Sequence, residues 1–293
     1  MRRSHPPTLL KLVRRTVLDE RLLTSGQTVL VAVSGGPDSM ALLHVLATLA
    51  GSLKLRLVAH GVDHGLREEA ARELAVAAAL ARDLGVPFST SRVEVGRGPN
   101  LMARARRARL EALRAALAEA AGDVIATAHH ADDRAETILM RLLRGAGPSG
   151  LAALPPRSSD LVRPLIRARR ADVLAHLARH RIAYAEDPTN RDPRFLRTRV
   201  RHELLPVLKE LSPRIVEHLC ALGDAVGAPA PPLVAGRALG RAQRTALARA
   251  LRTRNPKARV PLPGGAVARV DLCTGQIVLL EEGAKVRGRT TTT

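Results

Sequence analysis

The sequence predicts an α/β fold, a Rossmann-like parallel sheet in the order 3-2-1-4-5 with a small α+β domain after it. Three observations carry this. Short apolar runs recur between residues 29 and 166, separated by helical stretches long enough to be crossovers. The first run, Val29-Leu30-Val31-Ala32-Val33, ends in a glycine turn and leads straight into a helix. Beyond residue 227 the pattern gives way to a Pro/Ala stretch, a basic segment and two short apolar runs. We expect a first domain over 1–210, a helical linker over 211–232 and a small basic domain over 233–293.

The elements follow in order. Residues 1–23 are basic, but Lys11, Arg14, Arg15, Asp19 and Glu20 interrupt the apolar stretches. They read as an amphipathic helix rather than a signal peptide. After the strand at 29–33 and its helix comes a second strand over 55–60. An Ala-rich helix over 67–84 is stopped by Gly85, and a third strand over 86–95 starts with Pro87. A turn over 96–100 offers Asn100 as N-cap for a helix over 101–121, which carries Arg104, Arg106, Arg107, Arg109 and Arg114. A fourth strand over 123–127 leads to a helix over 132–144, and a fifth over 161–166 to a helix over 169–180. An acidic, turn-rich segment over 184–192 precedes an Arg-rich run. A Pro/Ala linker spans 227–232, a basic helix 239–252 and a hairpin 260–270 with 276–280, and the tail over 287–293 is expected to be disordered.

Composition narrows the partners. The chain has 293 residues, enough for a sizeable core without staples. Lys and Arg number 47 against 27 Asp and Glu, a formal net charge of +20, which points to a polyanion. Phe88, Tyr184 and Phe195 are the aromatics and Trp is absent, so RNA would be held by phosphate contacts and Arg or His planes. Cys220 and Cys273 form no paired motif, which argues against a disulfide framework and fits a reducing, cytoplasmic setting. No apolar run reaches the ~20 residues of a bilayer span, so no membrane partner is expected.

Two stretches carry chemistry. Ser34-Gly35-Gly36-Pro37-Asp38-Ser39 joins the first strand to its helix. The glycines expose backbone N–H groups, Pro37 suits the first helical position, and the helix N-terminus favours an anion. Gly36 is expected in a backbone conformation closed to β-branched residues. The serines add hydroxyls, and Asp38 is suited to a cation beside the anion. A plain strand-turn-helix corner would not need this set. The second stretch is His129-His130-Ala131-Asp132-Asp133-Arg134-Ala135-Glu136-Thr137, at the end of the fourth strand. His129, Asp133 and Glu136 are spaced to share one helix face, although acidic residues in a first turn also serve as caps and dipole partners. With the order 3-2-1-4-5, the strands bearing both stretches flank the point where strand order reverses, so one site is expected from both. Carboxylates beside a bound polyanion need a cation between them, and Asp38 and Asp133 are the Mg²⁺ candidates.

The Ser34 to Ser39 run resembles the SGGxDS pyrophosphate loop of the PP-loop ATP pyrophosphatases. These enzymes cleave ATP between its α and β phosphates and adenylate an oxygen on a second substrate. The stretches 129–137, 140–147, 163–166, 187–190 and 199–206 resemble successive signatures of the tRNA(Ile)-lysidine synthetase family, and 62–67 and 100–109 fit it too. The likeness covers about 29–208 and departs from the family's usual Gln at Arg134, Tyr at Leu110 and Asn at Thr198. Leu262-Pro263-Gly264-Gly265 resembles the domain after that family's catalytic core, and the further C-terminal domain of its longer members is not expected in these 293 residues.

The resemblance implies that ATP adenylates the 2-carbonyl oxygen of the wobble cytidine in a CAU-anticodon tRNA(Ile). The ε-amine of L-lysine then displaces AMP. Asp38, His129, Asp133 and Glu136 would be the catalytic residues, the last three positioning lysine and taking its proton, without a ranking among them. His60 and Arg106 would bind the nucleotide together with Ser34, Gly35, Gly36, Pro37, Asp38 and Ser39, and Arg191, Arg194, Arg197, Arg199 and Arg201 are the expected tRNA contacts. A homodimer is a fold-level analogy only. Two rivals stay open, a tRNA thiolase on the same scaffold and a non-catalytic basic RNA-binding protein.

Overall fold

A computed structural model describes residues 8–63, 65, 69–94, 101–185 and 194–227, and after these 233–234, 237–238, 242–243, 245–246, 249, 259–261, 267–270 and 277–280. Arg191, most of the 184–192 segment, the 96–100 turn, the 228–232 linker, most of the 239–252 helix and the 287–293 tail lie outside the described residues.

β1 (Thr28–Val33) lies at the centre of a six-stranded sheet. β2 (Arg56–Asp63) pairs with it in parallel on one side and β4 (Val124–Ala126) on the other. β3 (Phe88–Arg92) continues in parallel beyond β2. β6 (Leu161–Val162) is parallel to β4, and β5 (Arg157–Ser158) closes the edge antiparallel to β6. The order β3-β2-β1-β4-β6-β5 contains the expected 3-2-1-4-5, with β6 as the fifth strand. That strand is shorter than expected because Pro164 has no N–H for a ladder. The chain turns instead, with Ile166 N–H donating to the Arg163 carbonyl and Ala168 N–H to that of Leu165.

Alternation along β1 sends residues to two faces. Val29, Val31 and Val33 pack into one core with α1 (Leu9–Asp19), α2 (Pro37–Leu53), α3 (Glu69–Asp83) and α6 (Arg170–His180). Leu30 joins Ile125 of β4, Leu113 and Leu117 in a smaller core under α4 (Leu101–Glu119). Thr8 caps α1 by accepting from Lys11 N–H.

A second cluster forms around α5 (Ala131–Leu143). Its partners are a 3₁₀ turn (Pro148–Leu151), α7 (Leu196–Arg199), a π-helical turn (Val200–Leu204), α8 (Leu205–Leu211) and α9 (Ile215–Gly227). The segment expected as a helical linker from 211 therefore belongs here up to Gly227. A solvent-exposed linker would leave Val216, Leu219 and Cys220 in water, whereas α9 buries them.

The chain divides into two units, Met1–Gly227 and Ala228–Thr293. In the second, β9 (Arg259–Pro261), β10 (Val267–Val270) and β11 (Ile277–Leu280) form an antiparallel sheet in the order β11-β10-β9. A two-stranded ladder, β7 (Leu233–Val234) with β8 (Arg237–Ala238), precedes it. Val260 and Ala268 are its buried apolar residues among those described.

Candidate active site

The ends of β1 and β4 bring both chemical stretches to the point where strand order reverses. After β1, Gly35 adopts φ +81° and Gly36 is the N-cap of α2 at φ −72°. The left-handed residue is therefore Gly35, not Gly36 as expected. A Cβ on Gly35 would sit 2.2 Å from the Glu73 carbonyl oxygen, so the loop is pressed against α3. Pro37 is the first residue of α2, as its fixed φ favours. Ser39 Oγ accepts from Ser34 N–H at 3.1 Å and donates to the Gly36 carbonyl at 2.9 Å, which ties the turn into a ring. Ala185 N–H donates to the Gly35 carbonyl from the segment after α6. The result is a fixed concavity of N–H groups at a helix start.

After β4, His130 caps α5. Its Nδ1 accepts from Asp133 N–H at 3.2 Å, and Asp133 Oδ2 accepts from His130 N–H at 3.1 Å. That assignment puts the neutral ring's proton on Nε2, which faces Asp38 Oδ1 at 3.5 Å. His130 is wholly buried. Burial opposes its charged form, yet Asp38, Asp133 and Asp132 outweigh it and raise its pKa above the ordinary histidine value. Asp38 Oδ2 lies 3.8 Å from Arg170 Nη1. The ring of His130 thus stands between Asp38 and Asp133, the two carboxylates expected to share a cation. Among the described residues no group of three His, Cys, Asp or Glu side chains is arranged to hold a metal ion.

Asp133 and Glu136 form a buried acidic pair, Glu136 being 1% exposed. Arg197 and Arg201, one turn apart, close over them. Arg197 donates from Nη2 to Asp133 Oδ1 at 2.8 Å and from Nε to Glu136 Oε2 at 2.9 Å. Arg201 donates from Nε to Glu136 Oε1 at 2.6 Å and from Nη2 to Asp133 Oδ1 at 3.3 Å. Burial opposes the ionisation of Asp133, but His130 and Arg197 more than offset it and lower its pKa. Arg197 and Arg201, expected on RNA phosphates, are thus engaged inward, because buried carboxylates need paired cations. Arg199 pairs with Glu203 on the outside and Arg194 is exposed before α7.

His129 is the third expected member. Burial lowers its pKa to about 4, with Asp133 acting against this and Arg163, Arg109 and Arg106 reinforcing it. The Thr127 hydroxyl donates to the Val162 carbonyl at 3.4 Å and lies 3.1 Å from His129 Nδ1. Thr127 Oγ1 then accepts from Nδ1–H, which leaves Nε2 as the basic nitrogen. Arg106, expected at the nucleotide, thus acts with Arg109 and Arg163 on His129. Arg163 is buried and donates from Nη1 to the Pro155 carbonyl, while its Nε has no hydrogen-bond partner. Burial, then Arg106, lowers the pKa of Arg109 as well as that of Arg163. Arg163 is buried, Arg109 half-buried and Arg106 exposed, and a bound anion would relieve their mutual repulsion.

His60 is placed differently from its expected role. Its Nδ1 lies 2.8 Å from Ser89 Oγ and its Nε2 2.9 Å from Ser91 Oγ, so both ring nitrogens are engaged across β2 and β3. Burial lowers its pKa. This satisfied histidine pins two strands and presents no free nitrogen to a nucleotide.

Sequence reasoning missed several residues around the site. The capping spacing of His130 and Asp133 was a usable signal. Asp132 anchors α6: its Oδ2 accepts from Arg170 N–H at 2.9 Å and Arg169 Nε at 3.1 Å, and its Oδ1 from Lys209 Nζ at 3.1 Å. Burial works against its charge, but Arg169 and the Arg170 N–H hold its pKa at about 2. Arg134, where the resembling family usually has Gln, is 2% exposed and donates to Asp224 at 2.6 Å and to the Ala153 carbonyl at 2.9 Å. It is tied to α9 rather than to the site.

Residues 9–208 match the PP-loop domain family. The chain is 41% identical over 227 residues to a tRNA(Ile)-lysidine synthase of Symbiobacterium thermophilum, an alignment covering 74% of this chain and 47% of that protein. It is 46% identical over 191 residues to the tRNA(Ile)-lysidine synthase of Pseudomonas aeruginosa, covering 64% and 43%. With that of a Bradyrhizobium species the identity is 48% over 188 residues, covering 61% and 51%. The chain spans about half the length of these curated relatives. Among solved structures, the U34-tRNA thiolase NcsA from Methanococcus maripaludis, with its [4Fe-4S] cluster, superimposes with a TM-score of 0.63 at 18% identity. That superposition covers 75% of this chain and 79% of the other, a likeness of fold.

Proposed function

The chain belongs to the PP-loop family, and from that premise we propose that it is a tRNA(Ile)-lysidine synthetase. In this reading it is a cytoplasmic ligase that joins L-lysine to the 2-position of the wobble cytidine in a CAU-anticodon tRNA(Ile), with ATP converted to AMP and pyrophosphate. The observation that carries the reading is the buried pair Asp133 and Glu136, set one side-chain cap away from a phosphate loop. A phosphate cradle alone serves any ATP pyrophosphatase. A buried acidic pair beside it suits a cationic co-substrate, and the similarity to lysidine synthases supports lysine as that cation.

The residues divide the work as follows. The loop from Ser34 to Ser39 holds the leaving pyrophosphate with N–H and hydroxyl donors fixed before reaction. Asp38 fits Mg²⁺: its Oδ1 is buried without a hydrogen-bond partner, and this ion commonly takes one or two carboxylates together with substrate phosphates. Bound there, it would neutralise phosphate charge. Asp133 fits a metal less well, since Arg197, Arg201 and the His130 N–H already occupy its oxygens. Asp133 and Glu136 receive the lysine ammonium, displacing a guanidinium to do so. His129, neutral with Nε2 free, accepts the proton that the amine must lose before it attacks. Arg106, Arg109 and Arg163 hold the phosphate nearest the reacting centre. The basic residues after 227, among them Arg237, Arg241, Arg244 and Arg249, position the tRNA backbone without reading bases.

The thiolase rival needs an accessible thiolate. Burial pushes the Cys220 thiol up to about 11, and its Sγ lies 3.5 Å from the Ala131 carbonyl. Such a thiol is inert, and Cys220 is the one cysteine among the described residues, which favours the ligase. The deciding experiment incubates the protein with ATP, lysine and tRNA and identifies the modified nucleoside by mass. Lysine on the wobble cytidine is expected. Sulfur in its place, or tRNA binding without AMP formation, would overturn the proposal.

A further inference from the structure

A guanidinium beside the phosphate loop remains without a task. Arg170 is the first residue of α6, and its backbone N–H is fixed by Asp132 at 2.9 Å. Asp132 is in turn held by Arg169 and Lys209, so the start of α6 is clamped to the start of α5. Clamped there, the Arg170 side chain reaches Asp38 of the loop, at 3.8 Å between Nη1 and Oδ2. That distance is an ion-pair contact without a hydrogen bond. The guanidinium makes no hydrogen bond to any described residue, in contrast to its neighbour Arg169, which donates to Asp132 and Glu217. Its side chain is 40% exposed, so its contact with Asp38 contributes little stability and is easily exchanged. An arginine offers five donors in a planar fork that matches phosphate oxygens. Here that fork is held at its backbone, donates to no described residue and stands beside Asp38 of the loop.

We propose that Arg170 is a pyrophosphate ligand of the reaction, which leaves Asp38 on ATP binding and takes the phosphates that depart. The proposal rests on the ATP-pyrophosphatase reading above. In that reaction the cytidine O2 forms a bond to the α-phosphorus while the bond from that phosphorus to the oxygen bridging to the β-phosphate breaks. The leaving pyrophosphate takes the electron pair. Charge therefore grows on the oxygens that Arg170 faces, and a charge-assisted pair formed there is stronger in the transition state than before it. The same contact gives free pyrophosphate an affinity that AMP does not share, because AMP lacks the two distal phosphates.

The test uses the full chain with Mg²⁺ and measures the binding of inorganic pyrophosphate and of AMP separately, by calorimetry. Arg170→Ala should weaken pyrophosphate binding by about tenfold or more, ~1.4 kcal/mol per decade, and leave AMP binding unchanged. Arg170→Lys should restore part of the loss, since a point charge replaces the fork. The substitution retains the backbone bond to Asp132, so a general effect on folding would strike both ligands. Unchanged pyrophosphate binding in Arg170→Ala, or an equal loss for AMP, would overturn the assignment while leaving the ATP-pyrophosphatase reading in place. A wild-type chain that binds neither ligand would overturn both.

Discussion

His130 Nε2 and Asp38 Oδ1 face each other at 3.5 Å, both buried and both without a hydrogen-bond partner. Buried polar atoms are seldom left so, and a shift of a few tenths of an ångström would pair them. The contact joins the start of α5 to the start of α2, and with them the acidic pair to the phosphate loop. His130→Ala should remove the α5 cap and lower stability by ~1 kcal/mol. His130→Asn, which keeps a capping acceptor, should recover that stability but not kcat. Thermal melting and AMP release measured on both variants check this. If Asn restores activity as well, His130 is a cap and nothing more.

Gly35→Ala should abolish ATP binding or unfold the loop, because its φ of +81° and the Glu73 carbonyl 2.2 Å from the added Cβ both oppose it. Gly36→Ala should be tolerated in stability, since its backbone is ordinary and its nearest neighbour, Ser34 Oγ, is 3.6 Å away. Melting curves with and without ATP separate the two. Equal damage from both would show that the loop's strain is assigned to the wrong glycine.

The loop itself was legible in the sequence, because its residues are contiguous and each has a local reason. So was the convergence of β1 and β4, which follows from strand order. The direction of Arg197 and Arg201 was not. A run of arginines after an acidic turn reads the same whether it meets solvent or a buried carboxylate, and Asp133 and Glu136 are remote in sequence. His60 misled for a related reason: its partners Ser89 and Ser91 come from the neighbouring strand, through a register that one sequence does not display. Gly35 and Gly36 are chemically identical, and the left-handed φ of the first and the packing of α3 against it distinguish them.

Glu136→Gln should raise the KM for lysine by about tenfold or more, the loss of one charge-assisted pair, and leave the KM for ATP near its original value. The acidic pair is separate from the phosphate loop, so the two substrates should respond independently. Initial rates at varied lysine and varied ATP give both constants. A rise confined to ATP would place lysine elsewhere.

A cluster away from the site sets a pH response. His176 of α6 lies 3.0 Å from His44 of α2, and His180 packs beside both. Burial first, then His180 and His44, lowers the His176 pKa from 6.5 to about 4. Between those values the unfolded chain binds a proton that the folded chain does not, so stability is full above pH 6.5 and falls as pH drops toward 4. His176→Leu should flatten that fall. Urea unfolding at pH 7 and pH 4.5 measures it, and an unchanged slope would exclude His176 as the source.

Activation of the cytidine before lysine arrives can be followed by withholding lysine. Protein, tRNA and ATP labelled in the α-phosphate are mixed, and pyrophosphate, AMP and labelled tRNA are followed in time. Pyrophosphate should form and the label should move to the tRNA, with AMP released only when lysine is added. Pyrophosphate release that requires lysine, with the label on lysine and none on the tRNA, would contradict it.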